Sequence, residues 1–213
     1  MAYRVKTSWI LRDLLFKRLV WRMPPGNSNA DIYLTFDDGP HPTATRFVLD
    51  QLKQYNAKAT FFCIGKNVAT HEDIYSELLE QGHSIGNHTQ NHLNGWHTRK
   101  DKYLCNIRQA EVHIDSRMFR PPYGRITRGQ INSLLMRNDP YTIYMWDVLS
   151  GDFDTELTPQ QCLDNVLQNI QPGSIVVFHD SDKAWERMSY TLPKVLAYCR
   201  EMNWNLKALP NNR

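Results

Sequence analysis

The sequence predicts an α/β fold in which about seven short strands form a parallel sheet with helical crossovers. Two observations lead to this prediction. Strand-like and helix-like segments alternate along the 213 residues, and chemically capable side chains recur directly after the strands. Parallel strands place their carboxyl ends at one edge, in a closed barrel and in an open doubly wound sheet alike. These side chains would therefore meet in one cleft.

The strands are predicted from short apolar runs that turn residues interrupt. The first run ends in two adjacent carboxylates and a Gly-Pro turn. The runs at 59–64 and 174–178 are almost wholly apolar, as expected for strands that are covered on both faces. The predicted strands are 32–36, 59–64, 83–86, 118–120, 141–146, 174–178 and 204–208.

The helices are predicted where apolar residues recur at helical spacing and where end signals are present. Gly82 follows one such segment as a C-cap signal. Thr158 and Pro159 begin another as the N-cap and the first helical residue. The predicted helices are 43–55, 67–81, 99–115, 128–137, 159–170 and 192–202.

Composition indicates a single globular domain with a substantial core. The formal net charge of +3 is too small to indicate a nucleic-acid partner. The cysteines contain no CxxC pair, so reduced and mostly buried thiols are expected rather than a cysteine zinc site. They are Cys63, Cys105, Cys162 and Cys199.

Residues 1–30 are predicted to form an amphipathic helix and linker that pack on or precede the domain at 31–213. Apolar residues recur at helical spacing from Ser8 to Trp21. This run lacks the features of a secretory signal and is too short and too charged to span a bilayer. A cytoplasmic location is therefore expected by default. Peripheral membrane contact through residues 8–21 is the alternative.

The segment Thr35-Phe36-Asp37-Asp38-Gly39-Pro40 places two carboxylates at the end of the first strand. Adjacent side chains on an extended segment point in different directions. Asp38 can therefore bind a metal while Asp37 faces a reacting water. An ordinary Asx-type turn is the alternative interpretation.

The spacing of His88 and His92 supplies two further candidate ligands. On a helical turn, positions i and i+4 share one face, so both imidazoles could reach one ion. With Asp38 they form a set of two histidines and one carboxylate, which suits a divalent metal with open positions. Zinc is the first expectation, and Fe, Co, Ni or Mn would also fit.

Four residues could complete a hydrolytic site around such a metal, which lowers the pKa of water. Asp37 is the candidate base, and Arg120 would keep it ionised through a charge-assisted hydrogen bond. A backbone N–H near Tyr123 could stabilise a developing oxyanion. His179 is the candidate acid that protonates a leaving amine. Its carboxylate partner stays open among three candidates: Asp147, Asp152 and Asp180.

Together these segments resemble the polysaccharide deacetylase family, also called the NodB-homology domain or carbohydrate esterase family 4. The resemblance covers residues 31–208, where the motifs occur in the family order. The first, second, third and fifth are TFDDGP (35–40), HTQNH (88–92), RPPYG (120–124) and SIVVFHD (174–180). The resemblance implies an α/β fold of the distorted (β/α) barrel type with about seven parallel strands.

The resemblance also implies a role for each matching residue. It makes Asp37 the base, Arg120 the residue that orients it, and His179 the acid. The implied metal ligands are Asp38, His88 and His92. It also implies that the Tyr123 region helps to form the oxyanion hole and that Val177 and Phe178 line the pocket for the acetyl methyl group. From the residues themselves, Tyr123 and Trp146 could supply an apolar surface for a sugar ring, with ordinary core or rim aromatics as the alternative. Asp152 is a further candidate substrate contact.

The fourth motif departs from the family pattern. Leu149 stands where the family commonly has an aspartate, and Phe153 where it has a tryptophan. Asp147 or Asp152 would then have to become the partner of His179. This departure leaves the metal ligands and the base untouched.

The expected function is metal-dependent removal of N-acetyl groups from N-acetylglucosamine-type sugars, in a polysaccharide, an oligosaccharide or a glycan precursor. One alternative is an O-acetyl esterase that acts on a glycan such as acetyl-xylan. Another is a sugar-binding member of the family that has lost catalysis. No nucleic-acid partner is expected.

Overall fold

The computed structural model describes residues 5–24 and 30–211, apart from three side chains at positions 11, 13 and 15. The described strands are β1 (Asp31–Asp37), β2 (Thr60–Cys63), β3 (Ser84–Asn87), β4 (Met118–Phe119), β5 (Thr142–Ile143), β6 (Val148–Leu149), β7 (Ile175–His179) and β8 (Asn205–Leu206). The α-helices are α1 (Ala44–Gln54), α2 (Gly65–Thr70), α3 (Glu72–Glu80), α4 (Lys100–Ala110), α5 (Arg128–Leu135), α6 (Pro159–Leu167) and α7 (Trp185–Glu201).

The sheet runs in the order β5-β4-β3-β2-β1-β7-β6, with β8 beside β1, and every ladder is parallel. This half-barrel confirms the predicted α/β fold of seven parallel strands. In the described chain no ladder joins β5 to β6, so the barrel is open there. The short strand β6 was not predicted, and the predicted strand at 141–146 is present only as β5.

The faces of β1 alternate between two environments. Ile32, Leu34 and Phe36 lie in the core between the sheet and the helices. The ring of Phe36 stacks there on Phe61 and Phe178, with centroid separations of 5.1 and 5.8 Å. Because side chains alternate along a strand, Thr35 and Asp37 point to the opposite, inner face of the half-barrel. The inner face therefore carries the polar residues of β1.

The N-terminal strap, which we define as residues 5–24, differs from the predicted helix at 8–21. Its helical part is confined to a π-helical segment, Ile10–Leu15. Val20 then pairs with Tyr144, and Lys6 forms a bridge with Val148. Unpaired backbone groups at the open sheet edges accept these partners, and this pairing outweighs the helical periodicity of the sequence. The strap thus lies against both edges of the opening.

Two further sequence predictions concern the state of the cysteines and contact with a membrane. All the cysteines are free thiols, and three of them are buried while Cys105 is exposed. No helix in the described part of the chain has the length and apolar character needed to cross a membrane. Among the described side chains of the strap, three large apolar ones are exposed, those of Trp9, Ile10 and Leu14.

Candidate active site

The end of β1 delivers the two adjacent carboxylates in different directions. Asp37 is the last residue of β1 and lies in register with His179 of β7. Asp38 has a positive φ of 86°, which turns its side chain out of the strand. Asn67 holds this turn by donating from its side-chain amide to the Asp38 carbonyl at 2.7 Å. Asp37 and Asp38 therefore face different neighbours, as the sequence predicts.

Asp38, His88 and His92 form one group whose candidate ligand atoms all lie within 4.8 Å of one another. The Asp38 Oδ1 atom is 3.1 Å from His92 Nε2 and 3.7 Å from His88 Nε2. Burial alone would raise the pKa of Asp38, but the nearby histidines lower it below its usual range. The carboxylate is thus ionised and faces two imidazole rings.

The protonation of His88 shows that this group fits a cation. Its Nδ1 lies 2.8 Å from the Arg120 carbonyl oxygen, so Nδ1 carries the proton and donates it. Burial lowers the pKa of His88 to about 4, so the ring is neutral near pH 7. The lone pair of Nε2 then faces Asp38 Oδ1, a buried atom that makes no hydrogen bond of good geometry among the described residues, although His92 Nε2 lies 3.1 Å from it. A divalent cation would satisfy both atoms.

The two histidines reach one another through a loop rather than along a helix. The described residues from His88 to His92 contain no helix, and Thr89 and His92 have positive φ angles of 66° and 54°. Asn87 fixes the first turn by accepting from the Thr89 N–H at 2.8 Å. The predicted i, i+4 helical geometry is therefore wrong, although the rings do meet, with centroids 5.1 Å apart.

Arg120 anchors Asp37 from inside the half-barrel. Its guanidinium is fully buried and donates to Asp37 Oδ1 and to Thr35 Oγ1, both at 2.7 Å. The carbonyls of Tyr144 and Met145 accept its other N–H groups at 3.3 and 2.9 Å. Burial lowers the pKa of Arg120, and Asp37 opposes this effect. Arg120 is therefore no surface ion pair, and it fixes the position of one Asp37 oxygen.

His179 is held by Asp152, one of its three candidate partners. The His179 Nδ1 lies 2.7 Å from Asp152 Oδ1, and the His179 backbone N–H donates to Asp152 Oδ2 at 2.7 Å. Burial lowers the pKa of His179, but Asp152 outweighs it and raises the pKa to about 9. The imidazole is thus protonated near neutral pH, and its Nε2 is the atom left for chemistry.

Comparisons with known proteins show the family to which a chain with this geometry belongs. The profile described as polysaccharide deacetylase matches residues 25–136. A peptidoglycan-N-acetylglucosamine deacetylase of Bacillus cereus is 30% identical over 191 residues, which cover 87% of this chain and 88% of the relative. This chain belongs to the polysaccharide deacetylase family. It is accordingly an enzyme of that deacetylase class.

Other members of the family support the assignment. A second Bacillus cereus protein of the same name is 35% identical over 160 residues, which cover 72% of this chain and 57% of the relative. A chitooligosaccharide deacetylase of Azorhizobium caulinodans is 31% identical, with 72% and 75% covered. The solved structure of a peptidoglycan N-acetylglucosamine deacetylase superposes with a TM-score of 0.85 at 30% identity, covering 95% of this chain and 96% of that one.

The departure from the deacetylase pattern at Leu149 is compensated within the same loop. Leu149 lies buried in β6, in register with Val177 of β7. The chain then turns at Gly151, where φ is 80°, and the next residue is Asp152. The carboxylate thus reaches His179 from a position three residues later in the sequence. The ring of Phe153 packs edge-on against His179, with centroids 5.2 Å apart.

The two other candidate partners of His179 have structural contacts elsewhere. Asp147 accepts from Lys6 of the strap, from Ser174 Oγ and from the Ile175 N–H. Asp180 accepts from the Gly39 N–H at 3.0 Å and from the Thr45 hydroxyl. A Cβ atom on Gly39 would lie 2.1 Å from Asp180 Oδ2, so this turn requires glycine.

The predicted substrate contacts differ in their exposure to solvent and in the face of the sheet on which they lie. Tyr123 is 60% exposed, and its ring lies 4.5 Å from the ring of His92. Trp146 is half-buried against Gly124, where an added Cβ would approach it to 2.6 Å. Val177 is on the inner face with His179 but is buried. Phe178 lies in the core on the helical side, so placing it in the acetyl pocket was wrong.

Sequence reasoning missed two residues that position the site. Asn67 holds the Asp38 turn, as described above. Arg187 of α7 is buried and donates from Nε to the Asp152 carbonyl at 2.7 Å. Arg187 lies before the predicted helix at 192–202, whereas α7 begins at Trp185, so no sequence signal identified it. Its role depends on the tertiary position of α7.

Proposed function

We propose that the protein hydrolyses the N-acetyl group of N-acetylglucosamine units in a glycan. The observation that carries the proposal is the adjacent placement of Asp37 and His179. A carboxylate anchored by a buried arginine and an imidazole anchored by a buried carboxylate lie side by side at the ends of β1 and β7. A base and an acid with these separate anchors suit a reaction that removes one proton and delivers another.

The residues that would hold a divalent cation are Asp38, His88 and His92, and zinc is the first candidate. Such a cation supplies Lewis acidity that polarises the acetyl carbonyl and lowers the pKa of water. The protein's own contribution begins at Asp37. Arg120 occupies Asp37 Oδ1, which leaves Oδ2 to take a proton from the attacking water. Tyr123 has a positive φ of 59°, and its ring contacts the ring of His92. We assign a backbone N–H of this turn as the donor that faces the oxyanion.

His179 completes the reaction at the leaving nitrogen. Because Asp152 binds Nδ1, Nε2 carries the transferable proton. A pKa of about 9 keeps that proton in place at neutral pH, and it leaves when the C–N bond breaks. The acetyl carbon takes the water oxygen and the sugar nitrogen takes the His179 proton. The products are a free amino sugar and acetic acid, which ionises to acetate, and the proton that Asp37 took from the water balances the one that His179 gave up.

Removal of metal is expected to abolish acetate release from N-acetylglucosamine oligomers. The purified protein should lose activity on chelation, because Asp38 and the histidines alone do not polarise the carbonyl. Activity should return when zinc, cobalt or manganese is restored. Acetate is measured enzymatically, with total bound metal determined in parallel. Full activity in a sample shown to be free of metal would contradict the proposal.

An O-acetyl esterase activity can be compared in the same assay with acetyl-xylan as substrate. The relatives described above are named as deacetylases of peptidoglycan N-acetylglucosamine or of chitooligosaccharide. An amine is a poorer leaving group than an alcohol, and the protonated His179 meets this need. We therefore expect the N-acetyl substrate to be preferred. Acetate release from acetyl-xylan alone would favour the esterase.

Peripheral membrane contact through residues 8–21 remains a proposal, and the three exposed apolar side chains of the strap favour it. Because the strap pairs with the sheet edges, its removal would disturb the fold itself. The sharper test replaces Trp9 and Leu14 together by serine. Co-sedimentation with anionic vesicles should fall in this variant and stay unchanged in Met136→Ser, which alters an exposed side chain of α5's C-cap. Equal sedimentation of all three proteins would contradict membrane contact.

A further inference from the structure

We propose that Trp96 forms a sugar-stacking subsite beside the active site, which binds the pyranose ring of another unit in the glycan chain. This inference rests on the proposed function, because it takes the substrate to be a glycan. It adds that the enzyme recognises an oligomer rather than a single sugar. Three observations support it: the exposure of the Trp96 ring, the rigidity of its loop, and its position relative to His92.

The indole of Trp96 is exposed and yet fixed in orientation. Its side chain is 57% accessible to solvent. The indole N–H donates to the Ile126 carbonyl at 3.2 Å. The guanidinium carbon of Arg125 lies 4.0 Å from the ring centroid, so one face is covered by this cation–π contact. The solvent-accessible remainder of the ring is an apolar surface with a defined direction.

The loop that carries Trp96 is held by a buried side chain. Gln130, which is 1% exposed, donates to the Gly95 carbonyl at 2.9 Å and to the Thr98 carbonyl at 3.3 Å. The Trp96 N–H donates to Asn94 Oδ1 at 3.0 Å. A Cβ atom on Gly95 would lie 2.3 Å from the Arg125 carbonyl oxygen, so the close approach requires glycine. A ring fixed in advance loses little conformational entropy when a ligand binds.

The subsite adjoins the candidate cation site. The segment from His92 to Trp96 contacts the segment from Tyr123 to Ile126 at both ends. The rings of His92 and Tyr123 are in contact at 4.5 Å, and Gly95 donates to the Arg125 carbonyl at 3.1 Å. Trp96 follows His92 by four residues, so the two Cα atoms are at most about 14 Å apart. Two exposed aromatic rings, Tyr123 and Trp96, thus lie on these adjoining segments.

The chemistry of this surface favours a sugar ring. The polar N–H of the indole is already bonded to Ile126, so the ring offers an apolar face. One face of a pyranose carries C–H groups and packs on an aromatic ring, while its hydroxyl groups stay at the edge in water. The occupant we assign is therefore a hexopyranose unit of the same glycan chain, one or more positions from the unit that is deacetylated.

The test compares Trp96→Ala, Trp96→Phe and Met136→Ala on N-acetylglucosamine oligomers of increasing length. We expect Trp96→Ala to lower kcat/KM for the hexamer by about fivefold to tenfold, mainly through KM. The loss should be much smaller for the dimer, and Trp96→Phe should restore part of the hexamer activity. Met136→Ala changes another exposed apolar side chain away from this loop and should match the wild type at every length.

Binding measurements separate this proposal from the proposed function. Calorimetric affinity for the hexamer should fall by a similar factor in Trp96→Ala, with or without turnover. Weaker binding of Trp96→Ala to the hexamer, with no acetate released by any protein, would support the subsite and contradict the deacetylase activity. Equal losses at all lengths, or no loss of affinity, would overturn the subsite while leaving the deacetylase activity standing.

Discussion

Replacing Asp37 by asparagine is expected to lower acetate release by about 10²-fold to 10⁴-fold, the usual contribution of a general base. The metal content of the variant should stay at the wild-type level. Asp37 lies outside the ligand group, and its anchored oxygen contacts Arg120 instead. An amide can still accept from Arg120, but it takes no proton from water. The comparison requires turnover and bound metal to be measured on the same sample.

The adjacent residue provides the matched control. Asp38→Asn should lose both activity and bound metal, because Asp38 supplies the only carboxylate of the ligand group. Thermal melting shows whether each variant is folded at the assay temperature. This check is needed because Arg120 is fully buried and loses its counter-ion in Asp37→Asn. Normal turnover in a folded Asp37→Asn sample would exclude Asp37 as the base.

Convergence of the site could be predicted from the sequence because it follows from topology. Parallel strands bring their carboxyl ends to one edge, so Asp37 after β1 and His179 at the end of β7 had to meet. The same reasoning applies to Arg120, which directly follows β4 and lies beside Asp37 in the structure. These inferences need the order and direction of the strands and no side-chain detail.

The geometry between His88 and His92 could not be obtained from spacing. A separation of four residues suits a helix, but the chain reaches the same result with left-handed residues at Thr89 and His92. A positive φ is rare for a β-branched residue such as Thr89, so residue type does not predict the first of these turns. Asn87 accepts locally from the Thr89 N–H, but its own orientation depends on a tertiary hydrogen bond, in which its side-chain amide donates to the Ile107 carbonyl of α4.

The misplacement of Phe178 could have been avoided from the sequence alone. Successive side chains of a strand point to opposite faces. If His179 faces the site, Phe178 must face the helices, where it stacks on Phe36. The N-terminal strap is a different case. Its helical periodicity is real, but the unpaired edges of β5 and β6 decide its conformation, and they lie more than 100 residues away.

Replacing Asp152 by asparagine is expected to move the basic limb of the pH–rate profile to lower pH. Asp152 raises the pKa of His179 to about 9 against the effect of burial. The acid form of His179 therefore persists up to about that pH in the wild type. Without the carboxylate, burial lowers the pKa of His179, and only Asp38 and Asp37 still raise it. Activity should then decline at a lower pH than in the wild type, with a larger deficit at pH 8 than at pH 6.

The matched control for this prediction is Asp147→Asn. Asp147 is also buried beside β7, but its contacts are to Lys6, Ser174 and the Ile175 N–H rather than to His179. We expect this variant to melt at a lower temperature while its basic limb stays where it is in the wild type. A shift in Asp147→Asn without a shift in Asp152→Asn would reverse the assignment. Both variants remove a buried carboxylate near β7, but only Asp152 contacts His179. Only Asp152→Asn should therefore change the pH range in which His179 can protonate the leaving amine.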